Sequence, residues 1–270
     1  MHGYRRVPTD TVKERLMNRF SGKAVVVTGA ASGFGEAIAR RFAAEGASVC
    51  LSDIDAERLE RVAAELGRDD SPVACVPADV SQEDDVRKLI ETAQSTFGAL
   101  DVLVNNAGYS HRSQLMWQIS VADFDAVFAV NVRGVFLGCK HAIPYMIDQG
   151  GGAIINIASI GAVAPRPGVT PYNATKGAVL TLTRGLALEV ARHNIRVNAV
   201  NPVAAATGFM KGAIGVEELS ADQRAELVST IPRGRLAEPR DVAAAVAFLA
   251  SDEADMITGT SIDVDGGRSI

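Results

Sequence analysis

From residue 23 onward the chain repeats one unit: a short apolar run, a turn, then apolar positions spaced three and four apart. The runs are AVVVT (24–28), SVCLS (48–52), VACV (73–76), DVLVN (101–105), AIINIA (153–158), IRVNAV (195–200) and SIDV (261–264). Apolar runs of this length fit strands covered on both faces. Helical patterns lie between them, near 33–45, 56–66, 82–97, 123–148, 172–192 and 239–250. Glycines at 22, 46, 98, 150–152 and 266–267 mark their ends and turns. Parallel strands need crossovers long enough to hold a helix, so this rhythm predicts an α/β protein with about seven strands in a doubly wound parallel sheet.

Two segments depart from the rhythm. Residues 203–230 are longer than an ordinary connection and read as a substrate loop or lid. Residues 1–20 precede the first strand as an N-terminal arm, either a loose tail or a segment docked on a partner subunit, and residues 21–270 read as one domain.

Composition narrows the class. Hydrophobic residues make up 47% and aromatics 5%, and the net charge is −5 with Lys and Arg scattered. No basic stripe is present, so nucleic acid is not an expected partner. No apolar run approaches a membrane span, and the first twenty residues lack the apolar centre of a secretory signal. Cys50, Cys75 and Cys139 are isolated within apolar stretches, which suits buried thiols in a reducing, cytoplasmic setting. His2, His141 and His193 have no ligand spacing with Cys or carboxylates, so no metal is expected.

Candidate chemistry concentrates in two places. Thr28-Gly29-Ala30-Ala31-Ser32-Gly33-Phe34-Gly35 follows the first strand and opens a helix. Glycines there allow a tight turn and close approach, and the helix N-terminus offers free amides to a pyrophosphate. This strand-turn-helix setting makes the sheet Rossmann-type and the cofactor a dinucleotide. Asp53 ends the second strand, followed by Ile54. A carboxylate there accepts from a ribose 2′-hydroxyl and repels a 2′-phosphate, which favours NAD. Asp55 is the better cap for the following helix.

The second place is Ser159, then Tyr172 thirteen residues on and Lys176 four further. On a helix Tyr172 and Lys176 share a face. A free phenol titrates near ~10, and a neighbouring cation lowers that value toward the working range. With a serine hydroxyl to polarise a carbonyl oxygen, the three describe proton transfer at a carbinol.

With these motifs in place, residues 20–270 resemble a short-chain dehydrogenase/reductase. The resemblance implies that Asn131, in NVRG, joins Ser159, Tyr172 and Lys176 as a fourth catalytic residue holding a water in a proton relay. It adds Asp79 and Val80 on the adenine side, and Asn105, Ala107 and Gly108 of an NNAG motif, to the cofactor contacts. After the sixth strand it implies contacts from Pro202, residue 203 and Thr207, although Val203 stands where the family commonly has glycine. Lys176 is also implied to bind the nicotinamide ribose. Around the substrate, His111, Ser159, Gly161, Arg166 and Phe209 are the candidates, with His111 alternatively in a solvated loop.

The activity implied is NAD-dependent interconversion of a secondary alcohol (sugar, polyol, cyclic or steroid-like) and its ketone. An NADPH-dependent carbonyl or 3-oxoacyl-thioester reductase is the alternative, and a dinucleotide-binding sensor without chemistry is the non-enzyme reading. The resemblance also implies a homotetramer. Its long helices would pair near 123–148 and 172–192, the latter through Ala178, Leu182, Leu186 and Val190.

Overall fold

The computed structural model describes residues 18–67, 72–205 and 220–270. The first strand, β1 (Ala24–Thr28), is buried along its whole length, with Val25 and Val27 on one face and Val26 on the other. That two-residue alternation, apolar in both phases, is what commits a strand to the centre of a covered sheet. It leads into α1 (Gly33–Ala44), β2 (Ser48–Asp53), α2 (Ala56–Leu66), β3 (Val73–Pro77), α3 (Glu83–Phe97) and β4 (Val102–Asn105). There follow α4 (Val121–Phe128), a π-helical turn (Ala129–Arg133) and α5 (Gly134–Asp148). The second half runs β5 (Gly152–Ile157), α6 (Thr170–Val190), β6 (Ile195–Pro202), α7 (Ala221–Ser229), α8 (Pro239–Ala250) and β7 (Ser261–Val264).

All seven strands form one parallel sheet in the order β3-β2-β1-β4-β5-β6-β7. Helices α1, α2 and α8 cover one face through Ile38, Phe42, Leu59, Val62, Val242 and Val246. Helices α3, α5 and α6 cover the other through Leu89, Ile90, Ala142, Met146, Val179 and Leu180. Each of the larger of these side chains, once removed from water, contributes on the order of 2 kcal/mol. The chain reverses its winding between β1 and β4. A doubly wound sheet opens a crevice at the carboxyl ends of its strands at such a point.

Three details differ from the sequence reading. The pattern at 123–148 predicts one helix, and the structure interrupts it with the π-turn at 129–133. Arg19 and Phe20, read as part of the arm, belong to the body: Phe20 is 2% exposed and stacks edge-on against Phe42 at 4.7 Å, while Arg19 pairs with Glu45 at 2.7 Å. Among the thiols, Cys50 and Cys139 are buried but Cys75 is half-buried. Asp55 caps α2 as expected, accepting from the Arg58 amide at 3.1 Å. Among the described residues, no helix is long and apolar enough to cross a membrane, and no group of His, Cys, Asp or Glu has the arrangement to hold a metal.

Candidate active site

A cleft of about 440 Å³ runs across the carboxyl ends of the strands, from Asp53 at one end to Ser159, Tyr172 and Lys176 at the other. Its floor is the glycine turn. Gly29 and Gly33 have φ of 65° and 58°, a region that side-chain-bearing residues rarely adopt. Gly35 packs so closely that a Cβ there would overlap the carbonyl oxygen of Gly29. The turn is locked from β4: Asn106 Nδ2 donates to the carbonyls of Thr28 at 2.8 Å and Gly29 at 3.0 Å. In return, Thr28 Oγ1 accepts from the amides of Asn106 at 3.0 Å and Ala107 at 3.1 Å. Ser32 precedes the first turn of α1 without a side-chain cap bond. The free amides of that turn face the cleft, as a pyrophosphate requires.

At the far end of the turn, Asp53 Oδ2 accepts from the Ala31 amide and Oδ1 from the Asp55 amide, each at 3.0 Å. The carboxylate is thus fixed in direction, with a lone pair to spare on each oxygen. Ile54 beside it is 75% exposed, and both side chains border the cleft. Asp79 and Val80 line the same end, where the Asp79 carboxylate accepts from the Ser81 amide at 2.9 Å. These groups fit the adenosine end of a dinucleotide.

The chemical end is assembled by α6 and the π-turn. Lys176 is 3% exposed, and its Nζ donates to the Ile157 carbonyl at 2.8 Å. Burial lowers its pKa to about 8. That Nζ lies 5.7 Å from the centre of the Tyr172 ring. Burial raises the Tyr172 pKa, against a hydrogen bond with Ser159 and the charge of Arg166, both of which lower it. The sequence reading expects a lowered phenol pKa from Lys176; in the protein alone, desolvation wins instead. Ser159 Oγ accepts from the Gly161 amide at 3.0 Å, which fixes the hydroxyl beside Tyr172.

The π-turn carries Asn131, which is fully buried. Its Oδ1 accepts from the Tyr109 amide at 2.8 Å, and its Nδ2 donates to the Tyr109 carbonyl at 2.9 Å and Thr175 Oγ1 at 3.0 Å. A widened turn re-aims one side chain without ending the helix. Asn131 and Lys176 approach each other at Gly108, where a Cβ would stand 3.6 Å from both Asn131 Oδ1 and Lys176 Nζ.

Other expected contacts need correction. Asn105 does not line the cleft: it is 4% exposed, donates to Asn156 Oδ1 at 2.9 Å, and fits tightly against Gly138 of α5. Alternation along β4 sends 105 under the sheet and 106 into the cleft, so Asn106 takes the place expected of Asn105. His111 is neither in the cleft nor solvated: it is 1% exposed, its Nδ1 is 2.7 Å from the Arg112 carbonyl, and its Nε2 is buried without a hydrogen bond. Val203 does line the cleft, but its amide donates to the Val264 carbonyl at 3.1 Å, so that amide is committed to the sheet. Its φ is not positive, so the missing glycine leaves no backbone strain. Gly161, Arg166 and Pro202 border the cleft, while Thr207 and Phe209 lie outside the described residues. Arg268, after β7, also reaches the cleft. The only signal for it in the sequence is its place just beyond the glycine turn that ends the last strand.

On α6, the i, i+4 stripe at 178, 182, 186 and 190 does not stay on the surface. Val190 is buried and Leu186 packs on the core, and only Leu182 is clearly exposed. Steps of four advance about 40° each on a helix of 3.6 residues per turn, so the stripe rolls inward. The outward face is instead Ala174, Thr181, Gly185 and Leu188, the last 85% exposed.

A family model described as enoyl-(acyl carrier protein) reductase matches residues 29–269. The 4-formylbenzenesulfonate dehydrogenase of Comamonas testosteroni is 44% identical over 245 residues, covering 91% of this chain and 97% of the relative. The cis-4-hydroxycyclohexanecarboxylate dehydrogenase of Sinomonas cyclohexanicum is 42% identical over 248 residues, covering 92% of this chain and 97% of the relative. Among solved structures, the 3-ketoacyl-(acyl-carrier-protein) reductase of Brucella melitensis complexed with NADH superposes with a TM-score of 0.86 at 45% identity, covering 93% of this chain and 99% of that one.

Proposed function

The chain belongs to the short-chain dehydrogenase/reductase family, an oxidoreductase family acting on CH–OH groups, and from that premise we propose that it is an NAD-dependent dehydrogenase interconverting a secondary alcohol and its ketone. The observation that carries this reading is the cleft with an anchored carboxylate, Asp53, at one end and Ser159, Tyr172 and Lys176 at the other. When bound, the nicotinamide dinucleotide supplies the hydride acceptor or donor. The amides of Ser32 to Gly35 would hold its phosphates, Asp53 and Ile54 its adenosine ribose, Asp79 and Val80 its adenine, and Ala107 and Gly108 the middle of the chain. Pro202, Val203 and Thr207 are assigned to the nicotinamide end.

The chain's own residues carry the proton. Tyr172 takes it from the carbinol oxygen during oxidation and returns it to the ketone oxygen during reduction. Ser159 orients that oxygen and, through its bond to Tyr172, favours the phenolate. Lys176 adds positive charge behind the phenol and would donate to the ribose hydroxyls of the bound cofactor. Asn131 is pinned by Tyr109 and Thr175, and it holds the relay from Lys176 to solvent in place. We assign the protein to the cytoplasm, a reading that its free thiols support.

The test of cofactor choice is a comparison of kcat/KM with NAD and NADP over a panel of secondary alcohols and ketones. Wild-type protein is expected to prefer NAD. Asp53→Ala with Ile54→Arg should remove the repulsion toward a 2′-phosphate and supply its partner, shifting the preference toward NADP by about 10- to 100-fold, the worth of one charged hydrogen bond. A wild-type preference for NADP would overturn the role of Asp53. It would favour the alternative, an NADPH-dependent carbonyl or 3-oxoacyl-thioester reductase.

We also assign a homotetramer, with one pairing through α5 and α6. Supporting this is a run of exposed apolar groups on those helices and α4: Phe124, Phe136, Leu182 and Leu188. Small residues Ala174 and Gly185 on the same face of α6 as Leu188 allow close helix approach across a two-fold axis. Leu188→Glu would bury two like charges there and is expected to halve the mass seen by light scattering. An unchanged mass would remove α6 from the interface.

A further inference from the structure

Arg166 and Arg268 come from distant parts of the chain, yet both line the cleft at its catalytic end, together with Ser159 and Tyr172. Each is positioned by its backbone. Arg166 lies between Pro165 and Pro167, whose rings fix φ, and its carbonyl accepts from Asn173 Nδ2 at 2.9 Å. Asn173 follows Tyr172 on α6 and is 7% exposed, so the loop bearing Arg166 is tied to the helical turn that bears the acid/base. Arg268 sits in a loop wound around the Asp265 carboxylate, which accepts from the Gly267 amide at 2.9 Å and the Ser269 amide at 2.8 Å. The Asp265 carboxylate is thus engaged by backbone, and Asp263 Oδ1 accepts from Asn201 Nδ2 at 2.7 Å.

Charge makes this pair unusual within the molecule. Elsewhere the part-buried guanidinium of Arg19 meets Glu45, and that of Arg196 is surrounded by the carbonyls of Leu249, Ala250 and Ser251. Among the described residues no carboxylate lies in salt-bridge range of Arg166 or Arg268. Burial lowers the Arg166 pKa first, and the charge of Arg268 lowers it further. Two cations held together in a half-buried cleft without an anion are destabilising, and an anion between them removes the penalty. Arginine's planar fork matches an oxyanion with two coplanar or tetrahedral oxygens. Ala164, Ala204 and Ala205 line the same cleft and leave room for a compact apolar body.

Building on the dehydrogenase reading above, we propose that the substrate is a secondary alcohol or ketone bearing a carboxylate or sulfonate, and that Arg166 and Arg268 grip this anion while Tyr172 meets the carbinol. With the cofactor's phosphates assigned above to the amides of Ser32 to Gly35 and its adenosine ribose to Asp53, the pair is left for the substrate.

The test uses the full chain and probes matched in shape. Calorimetry of the NADH-saturated protein would compare carboxylates from isobutyrate to 4-isopropylbenzoate with their carboxamides. The best carboxylate is expected to bind at least tenfold more tightly than its amide. That advantage should vanish in Arg166→Ala/Arg268→Ala, with melting temperature and NADH affinity following whether the variant stays folded. Equal binding of acid and amide, no binding of either, or an advantage that survives the double substitution would overturn the proposal. So would a loss of NADH affinity as large as the loss of carboxylate affinity, because the pair would then serve the cofactor. In parallel, 4-(1-hydroxyethyl)benzoate and its benzamide would be assayed with NAD. Turnover of the amide as fast as the acid sinks the anion site and leaves the dehydrogenase standing. Pair-dependent carboxylate binding with no oxidation of any alcohol tried sinks the dehydrogenase reading instead.

Discussion

Tyr172→Phe is expected to lower kcat/KM by about 10³-fold for every alcohol or ketone the protein turns over, the scale of a positioned acid/base group. NADH affinity and melting temperature should change little, because the ring and its packing remain. The pH dependence carries the sign. Burial holds the Tyr172 hydroxyl protonated above its ordinary range, with only partial relief from Ser159 and Arg166. Ketone reduction needs the phenol and should be level through neutral pH, falling in alkali. Alcohol oxidation needs the phenolate and should climb as pH rises. Ser159→Ala removes one source of relief and should move both limbs to higher pH. A Tyr172→Phe variant within tenfold of wild-type turnover would show that some other group moves the proton.

Gly35→Ala should be the most damaging single methyl in the nucleotide half. A Cβ at 35 overlaps the Gly29 carbonyl and lies close to Asn106 Nδ2, the side chain that locks the turn. Backbone must move, at a cost of about 1–3 kcal/mol by the scale of overpacked cores. The same movement turns the α1 amides away from the cleft. NADH affinity is expected to fall about 100-fold by fluorescence titration, with a lower melting temperature. Gly177→Ala is the control, since nothing lies within 4 Å of a Cβ there. Equal behaviour of the two variants would mean that the close approach at 35 has no bearing on cofactor binding.

The central strands were legible because runs such as AVVVT are apolar in both phases, a pattern that leaves little choice but the middle of a covered sheet, and the edge run SIDV because its apolar residues alternate. AVVVT and SIDV fall on β1 and β7 to the residue. Ser159, Tyr172 and Lys176 were legible because two of them share a helix and helical geometry does the rest. What stayed hidden depended on contacts between distant segments. Unaided by family resemblance, Asn131 is an ordinary polar helix residue, because nothing local announces a π-turn that points it inward at Tyr109 and Thr175. Asn105 and Asn106 are identical letters, and only the phase of β4 tells which reaches the glycine turn. His111 looks like loop surface until the neighbouring segment covers it. The outward face of α6 was misjudged by treating four-residue spacing as a straight stripe.

The seam between β1 and β4 bears on when this molecule first becomes competent. These neighbours, Val25 beside Val102 among them, lie far apart in sequence, so they pair only after a long loop closes. Until then the glycine turn and Asn106 belong to separate pieces of chain, and neither piece alone has a formed cleft. Contacts of such separation are late events in folding. A nascent or partly refolded chain can therefore have most of its helices and still bind no nucleotide. Thr28 and Asn106, which close that seam with four hydrogen bonds, mark the moment at which structure becomes a site.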